Sequence, residues 1–325
     1  MKVFNNSYGT NSFQSGKKDD AKVAFGPMAV GYLGGSMVYK GFSNLYNATI
    51  DNGIITSLTK IVPKPQDNIN TLLGSAFKNS GLSKYGTEFV DVSKMKDIII
   101  RDKKGNIIIK NIQQQVADIL DKETEKGFFN KLSRSNPVKY KKEIDTLAKT
   151  FASGQNAVYL FNENKVLLNS EKLGFSAFHE MGHAMNRQMS KVCKLLQNIR
   201  APLMLLPTAL ITIALLTNKR TEENPPQNKW QKFTGFVKNN VGKLSALCSV
   251  PIIAEEIMAS VRGQKLAKAV LPANLLKSVT KTNALGLLSY VGAAVATGIF
   301  ACCANEIRDG IVTSLHMKRV NAKQQ

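Results

Sequence analysis

The chain has 325 residues, 43% of them hydrophobic, enough for one large domain or two modest ones around a packed core. Lys and Arg number 44 against 23 Asp and Glu, and a formal charge of +21 attracts polyanions: anionic lipid headgroups, nucleic acid or acidic proteins. The basic residues are dispersed, without zinc-finger spacing, an RNP-like aromatic motif or a long basic helix, so juxtamembrane charge is expected and specific nucleic-acid binding is not.

Residues 1–22 are rich in Asn, Ser, Gly and Lys and read as a flexible tail. They hold no apolar core of a signal peptide, which sets a reducing, cytoplasm-facing site as the default. An N-terminal mixed α/β region is expected over 23–155. It opens with the glycine-rich apolar stretch Ala24–Val38, short of the roughly 20 residues a membrane span needs. Within it, "DIIIRDKKGNIII" (Asp97–Ile109) places two β-branched runs around Lys-Gly-Asn and predicts a hairpin. Helical apolar spacing follows over Ile112–Leu120 and Val138–Phe151.

Asn156–Asn169 reads as two more short strands around Asn162-Glu163-Asn164, with Ser170 placed to cap the next helix. That helix carries "FSAFHEMGHAMNRQ", Phe175–Gln188. Three apolar stretches come later: Ala201–Thr217 and Ala284–Ala304, both without charge, and between them Val241–Ala254, interrupted by Lys243 and Pro251. The two without charge are membrane-span candidates by length. The four cysteines, Cys193, Cys248, Cys302 and Cys303, form no CxxC, and three of them sit in or beside apolar runs, so neither a disulfide scaffold nor a Cys-ligated metal is expected. The expected organisation is then a catalytic region over 156–270 with inserted apolar helices, and a C-terminal transmembrane helix with a basic tail over 271–325.

The chain holds three histidines, and two of them stand four apart beside a glutamate. A helix turns once in 3.6 residues, so His179 and His183 share a face and can aim two imidazoles at one ion. Glu180, offset by about 100°, stays out of the donor set but near an open coordination position, where a general base belongs. A catalytic zinc site needs a third protein donor. His183 is followed by Asn186 and "RQMSK", not by the extended HExxHxxGxxH pattern. A glutamate on a second helix is the alternative, and "PIIAEEIMASVRG" (Pro251–Gly263) supplies Glu255 and Glu256.

These residues resemble the membrane-embedded gluzincin metallopeptidases of the HtpX and CAAX-prenyl-protease type. "HEMGHAMN" is similar to their first motif and "EIMAS", Glu256–Ser260, to their second, ExxA(D). The resemblance covers roughly Asn156–Ala267. It implies an α+β fold, a mostly helical zincin-like catalytic domain with a small β-sheet and two to three transmembrane or membrane-associated helices. It implies one Zn²⁺ held by His179, His183 and Glu256, with Glu256 selected over Glu255, and Glu180 as the general base of peptide-bond hydrolysis. It further implies supporting roles for Ser260 and Asn186 and a substrate-binding edge strand at Val158, Tyr159, Leu160 and Phe161. Ser260 stands where the family usually has aspartate, and the family's paired spans before HExxH are missing unless Ala24–Val38 is their remnant. His316, Arg262 and Tyr290 are the candidates for stabilising an oxyanion.

The expectation is therefore an integral membrane zinc endopeptidase acting on protein or peptide substrates and contacting anionic lipid. The competing expectation is a catalytically inactive basic membrane protein that binds anionic lipid or a protein partner. A third, a soluble nucleic-acid binder, predicts steeply salt-dependent binding. One topological condition applies to the first: His179 and Glu256 can meet only if the chain between them crosses the bilayer an even number of times. Ala201–Thr217 and Val241–Ala254 would then form a hairpin, or neither would cross.

Overall fold

The structure is a computed structural model that describes residues 25–101, 107–124, 136–219 and 225–324. The expected tail, 1–22, and the Lys104-Gly105-Asn106 turn lie outside the described residues. Helix α1 (Phe25–Tyr46) outruns the stretch read from the sequence and passes through a π-helical turn, Asn47–Asp51, into α2 (Asn52–Thr59). Its glycines bring it close to the last helix: a Cβ on Gly35 would meet the Ala304 carbonyl at 2.9 Å and the Arg308 side chain at 3.1 Å. Small residues at such a crossing let two backbones approach.

After α3 (Ile69–Ser80) comes a three-stranded sheet of β1 (Glu88–Asp91), β4 (Val158–Leu160) and β5 (Lys165–Leu168), in the order β1-β5-β4. β5 is parallel to β1 and antiparallel to β4. The expected hairpin is present as a separate ribbon, β2 (Ile98–Arg101) against β3 (Ile107–Lys110). Helices α4 (Ile112–Glu123) and α5 (Pro137–Ala152) start on Asn111 and Asn136, whose side chains accept backbone N–H groups of the first turn.

Alternation along β5 assigns the two sheet faces. Leu167 packs with Val116, Leu120, Ala148 and Phe151 of α4 and α5. Val166 and Leu168 point the other way, into a core shared by α3, the histidine helix and the last two helices. A short helix α6 (Ser170–Leu173) then leads to α7 (Ser176–Met189), which carries the histidines. Ser170 does not cap α7. Asn169 caps α6 instead, and Ser170 gives its N–H (3.0 Å) and its hydroxyl (2.6 Å) to the Asp91 carboxylate. Burial works against that charge, but the donors of Ser170 and Ser93 outweigh it and hold the Asp91 carboxyl below the usual carboxylate range.

The second half is helical: α8 (Lys191–Leu216), α9 (Lys229–Leu247), α10 (Val250–Val270) and α11 (Ala273–Gln324). Among the described residues, three helices are long and apolar enough to cross a membrane: Lys191–Leu216, Lys229–Val270 counted through the bend at Cys248–Ser249, and Ala273–Ala322. The apolar stretch read over Val241–Ala254 is not one helical unit, since that bend, just before Pro251, divides it between α9 and α10. α8 and α9 pack together as a hairpin around Ile211, Ala214, Leu215 and Val241. Two buried cations close its end. Lys238 Nζ donates to the Ala214 carbonyl (3.2 Å) and pairs with Asp309 (2.8 Å), while Arg308 Nε donates to the Leu215 carbonyl (2.9 Å). Those carbonyls lie in the last turn of α8, where a helix lacks internal partners.

Candidate metal centre

Helix α7 presses Ala177, Phe178, Met181 and Ala184 into the core and crosses α10 at backbone contact. A Cβ on Gly182 would stand 2.0 Å from the Ala259 carbonyl oxygen, and one on Gly263 would stand 2.3 Å from that of Phe178. Gly182 serves the crossing with α10, because its open side faces that helix. The paired glycines set α7 and α10 close enough for short side chains to meet.

Three of those side chains converge. Glu256 Oε2 lies 3.1 Å from His179 Nε2 and 3.3 Å from His183 Nε2, and the two Nε2 atoms are 3.0 Å apart. Donors bound at about 2.0–2.1 Å around a tetrahedral ion stand about 3.3–3.4 Å from one another. The triangle, with edges of 3.0–3.3 Å, is slightly tighter than that, so the donors need to part by only a few tenths of an ångström, and two imidazoles with a carboxylate suit zinc. The donor set thus fits the implied ion.

Each donor has a partner on its other side. His179 Nδ1 lies 3.1 Å from Ser260 Oγ, and His183 Nδ1 lies 3.0 Å from Glu255 Oε1. Partners on Nδ1 turn each Nε2 lone pair toward the shared point. Glu255 Oε1 also accepts from Asn186 Nδ2 (2.9 Å) and Gln197 Nε2 (2.7 Å). Asn186 therefore reaches the centre through Glu255, not through a histidine. The second oxygen of Glu256, Oε1, is 2.7 Å from Arg200 NH1, and Arg200 NH2 donates to the Tyr290 hydroxyl at 2.8 Å.

The electrostatics favour a positive charge at this point. Burial opposes protonation of His183, but its hydrogen bonds to Glu255 and Glu256 outweigh that and push its pKa up to about 10. A proton there does for the carboxylates what a metal ion would do.

Glu180 is partly exposed and borders a cleft on both sides of the histidines. One half, 320 Å³, is walled by residues 157–161; the other, 550 Å³, runs between α11, α2 and α5. β4 is the outer strand of its sheet. Val158, Tyr159 and Leu160 belong to it, whereas Phe161 lies just beyond, in the turn toward β5.

Of the three oxyanion candidates, Tyr290 borders both halves of the cleft. Arg262 instead donates to the Met185 carbonyl at 3.1 Å, and His316 is exposed near the far end of α11. Sequence reasoning overlooked Arg200 and Gln197 and gave Glu255 no role of its own. The available signal was Arg200 itself, a charge that leads an apolar run yet sits inside a helix. Comparison with family models, curated proteins and solved structures finds no match for this chain.

Proposed function

We propose that the protein is a membrane-associated, zinc-dependent endopeptidase. The observation that carries this reading is the donor triangle of His179, His183 and Glu256, with edges of 3.0–3.3 Å. Zinc held by these three donors would supply a water of pKa lowered to about 7 and a Lewis acid for the scissile carbonyl. Ser260 and Glu255 orient the rings, and Arg200 holds one oxygen of Glu256 so that the other faces the ion. Glu180 takes the proton of the attacking water on its carboxylate and passes it to the leaving amide nitrogen. The Tyr290 hydroxyl accepts from Arg200 and, beside the Glu256 carboxylate in the metal-free site, turns its hydrogen to the substrate carbonyl oxygen when a peptide is bound. The outer edge of β4 pairs with an extended peptide. The topological condition then requires α8 and the Lys229–Val270 run to cross as a pair, with Glu256 returned to the side that holds α7.

Metal analysis of detergent-purified protein, joined to hydrolysis of an unfolded protein substrate, tests this. Wild type should carry near-stoichiometric zinc that Glu256→Ala loses, and Glu180→Gln should lower hydrolysis by about 10²–10⁴-fold while keeping the metal. Wild type without zinc after reconstitution, or full activity in Glu180→Gln, refutes the reading.

One observation favours a second reading, an inactive protein that binds anionic lipid. The β2–β3 ribbon sets Ile99, Ile107 and Ile109 on one face with Arg101, and all four are exposed. Apolar side chains beside a cation suit the boundary of an anionic bilayer. Under that reading, Ile99→Asp abolishes co-sedimentation with anionic vesicles, and the wild type hydrolyses nothing.

A further inference from the structure

The two halves of the cleft differ in charge. The smaller half is lined by Glu123 and Arg200 as well as by His179, Glu180 and His183. In the larger half no Lys, Arg or Asp occurs among the described lining residues; Glu180 and His179 stand at the boundary it shares with the smaller half. The wall contributed by α11 holds Thr282, Asn283, Gly286 and Ser289, and the opposite wall holds Ile55 of α2 and Leu147 of α5.

Two polar atoms in that wall are buried without a partner among the described residues, Thr282 Oγ1 and Asn283 Oδ1. Their residues are only 6% and 8% exposed. The Asn283 amide nitrogen points at the Ser260 carbonyl and at Gln264 Oε1, each 3.4 Å away, so its oxygen is the group left over. Buried polar atoms are normally satisfied, and an acceptor and a hydroxyl left without partners in residues that line a chamber can be met by a ligand with N–H and C=O groups once the side chains turn to it. A peptide backbone has both.

We propose that this 550 Å³ half of the cleft is a subsite for uncharged residues of the substrate, in which Thr282 and Asn283 hydrogen-bond the peptide. The inference rests on the reading of the site as a peptidase centre. Beyond the boundary held by Glu180 and His179, a Lys, Arg, Asp or Glu side chain drawn into the chamber loses its water and meets no counter-ion among the described lining residues, whereas Ala, Ser or Thr loses little. Selection is thus by exclusion of charge on one side of the scissile bond, and the other side, near Glu123 and Arg200, tolerates it.

Gly286 provides the probe, because a Cβ there meets nothing within 4 Å and the residue lines the chamber, and thermal unfolding of each Gly286 variant checks that its fold is kept. The experiment measures binding, not turnover, of full-length Glu180→Gln protein in detergent with alanine–serine octapeptides, each carrying one Lys or one Glu at a successive position. The expected result is a run of positions on one side where either charge weakens binding by about tenfold or more, and indifference on the other side. Gly286→Phe should weaken binding of the uncharged peptide by a similar factor, and Gly286→Glu should restore the Lys peptides over the same positions. Uniform binding across the charge scan, no binding of any peptide, or indifference to Gly286→Phe overturns the subsite. Incubating the best binder with the Glu180-intact protein separates the two ideas: selective binding without cleavage leaves the subsite standing and removes the peptidase reading.

Discussion

His183 Nδ1 and Glu255 Oε1 lie 3.0 Å apart, so the glutamate next to the proposed third donor orients the second histidine. Glu255→Gln keeps the shape and all three donors but removes the charge that makes His183 a strong base. Metal affinity should fall by about 10–100-fold, against near-complete loss in Glu256→Ala. Competition with a chelator of known affinity reads both. Equal affinity in Glu255→Gln and wild type would mean that Glu255 only fills space.

The pKa of about 10 on His183 makes metal binding a competition with a proton. Below that pH the metal-free site is protonated, and uptake of an ion should release about one proton from His183. Affinity should then rise by about tenfold per pH unit between pH 6 and 9. Calorimetry in buffers of different ionisation enthalpy counts the proton directly. The raised pKa has a second consequence in the metal-free protein. Stability from the His183 ion pairs is fully present below about 6.5 and is lost as pH rises through about 10. A metal-free form that grows more stable across that window would contradict the assignment.

Gly182 and Ala259 hold the two helices at contact: a methyl carbon added to Gly182 would stand 2.0 Å from the Ala259 carbonyl oxygen. Gly182→Ala must push α7 from α10. The cost in stability should be about 1–3 kcal/mol, and metal should be lost even though no donor has changed. Gly286→Ala is the control, because nothing lies near its added Cβ. Thermal unfolding and metal content of the pair decide it, and a Gly182→Ala protein with wild-type zinc would show that the crossing tolerates a methyl group.

Arg308 and Lys238 share Asp309 and tie α9 and α11 to the end of α8. Replacing Arg308 by Met leaves the Leu215 carbonyl and part of the Asp309 charge without a partner. Removal of one member of a buried ionic cluster costs about 3–5 kcal/mol. Unfolding in detergent should show a loss of that order, and a change below about 1 kcal/mol would reduce the cluster to a surface-like contact.

Much of the molecule follows from local interactions and is legible in the sequence. His179 and His183 share a helix face because four residues make about one turn. The β2–β3 and β4–β5 hairpins follow from β-branched runs around turn residues. Length and lack of charge mark α8 and α11 as helices able to cross a membrane. The tertiary structure decided what depends on contacts far apart in the chain. Glu255 and Glu256 are neighbours, and although the register of the ExxA resemblance selects Glu256 toward the shared point, only the position of α7 across α10 gives Glu255 its place on His183 Nδ1. Arg200 looks like a flank of an apolar run until α8 folds back beside Glu256 and Tyr290. Gly182 reads as a weak point in a helix until Ala259 arrives against it. Periodicity encodes which face a residue occupies, but not what will stand opposite, because that depends on packing the whole chain around one core.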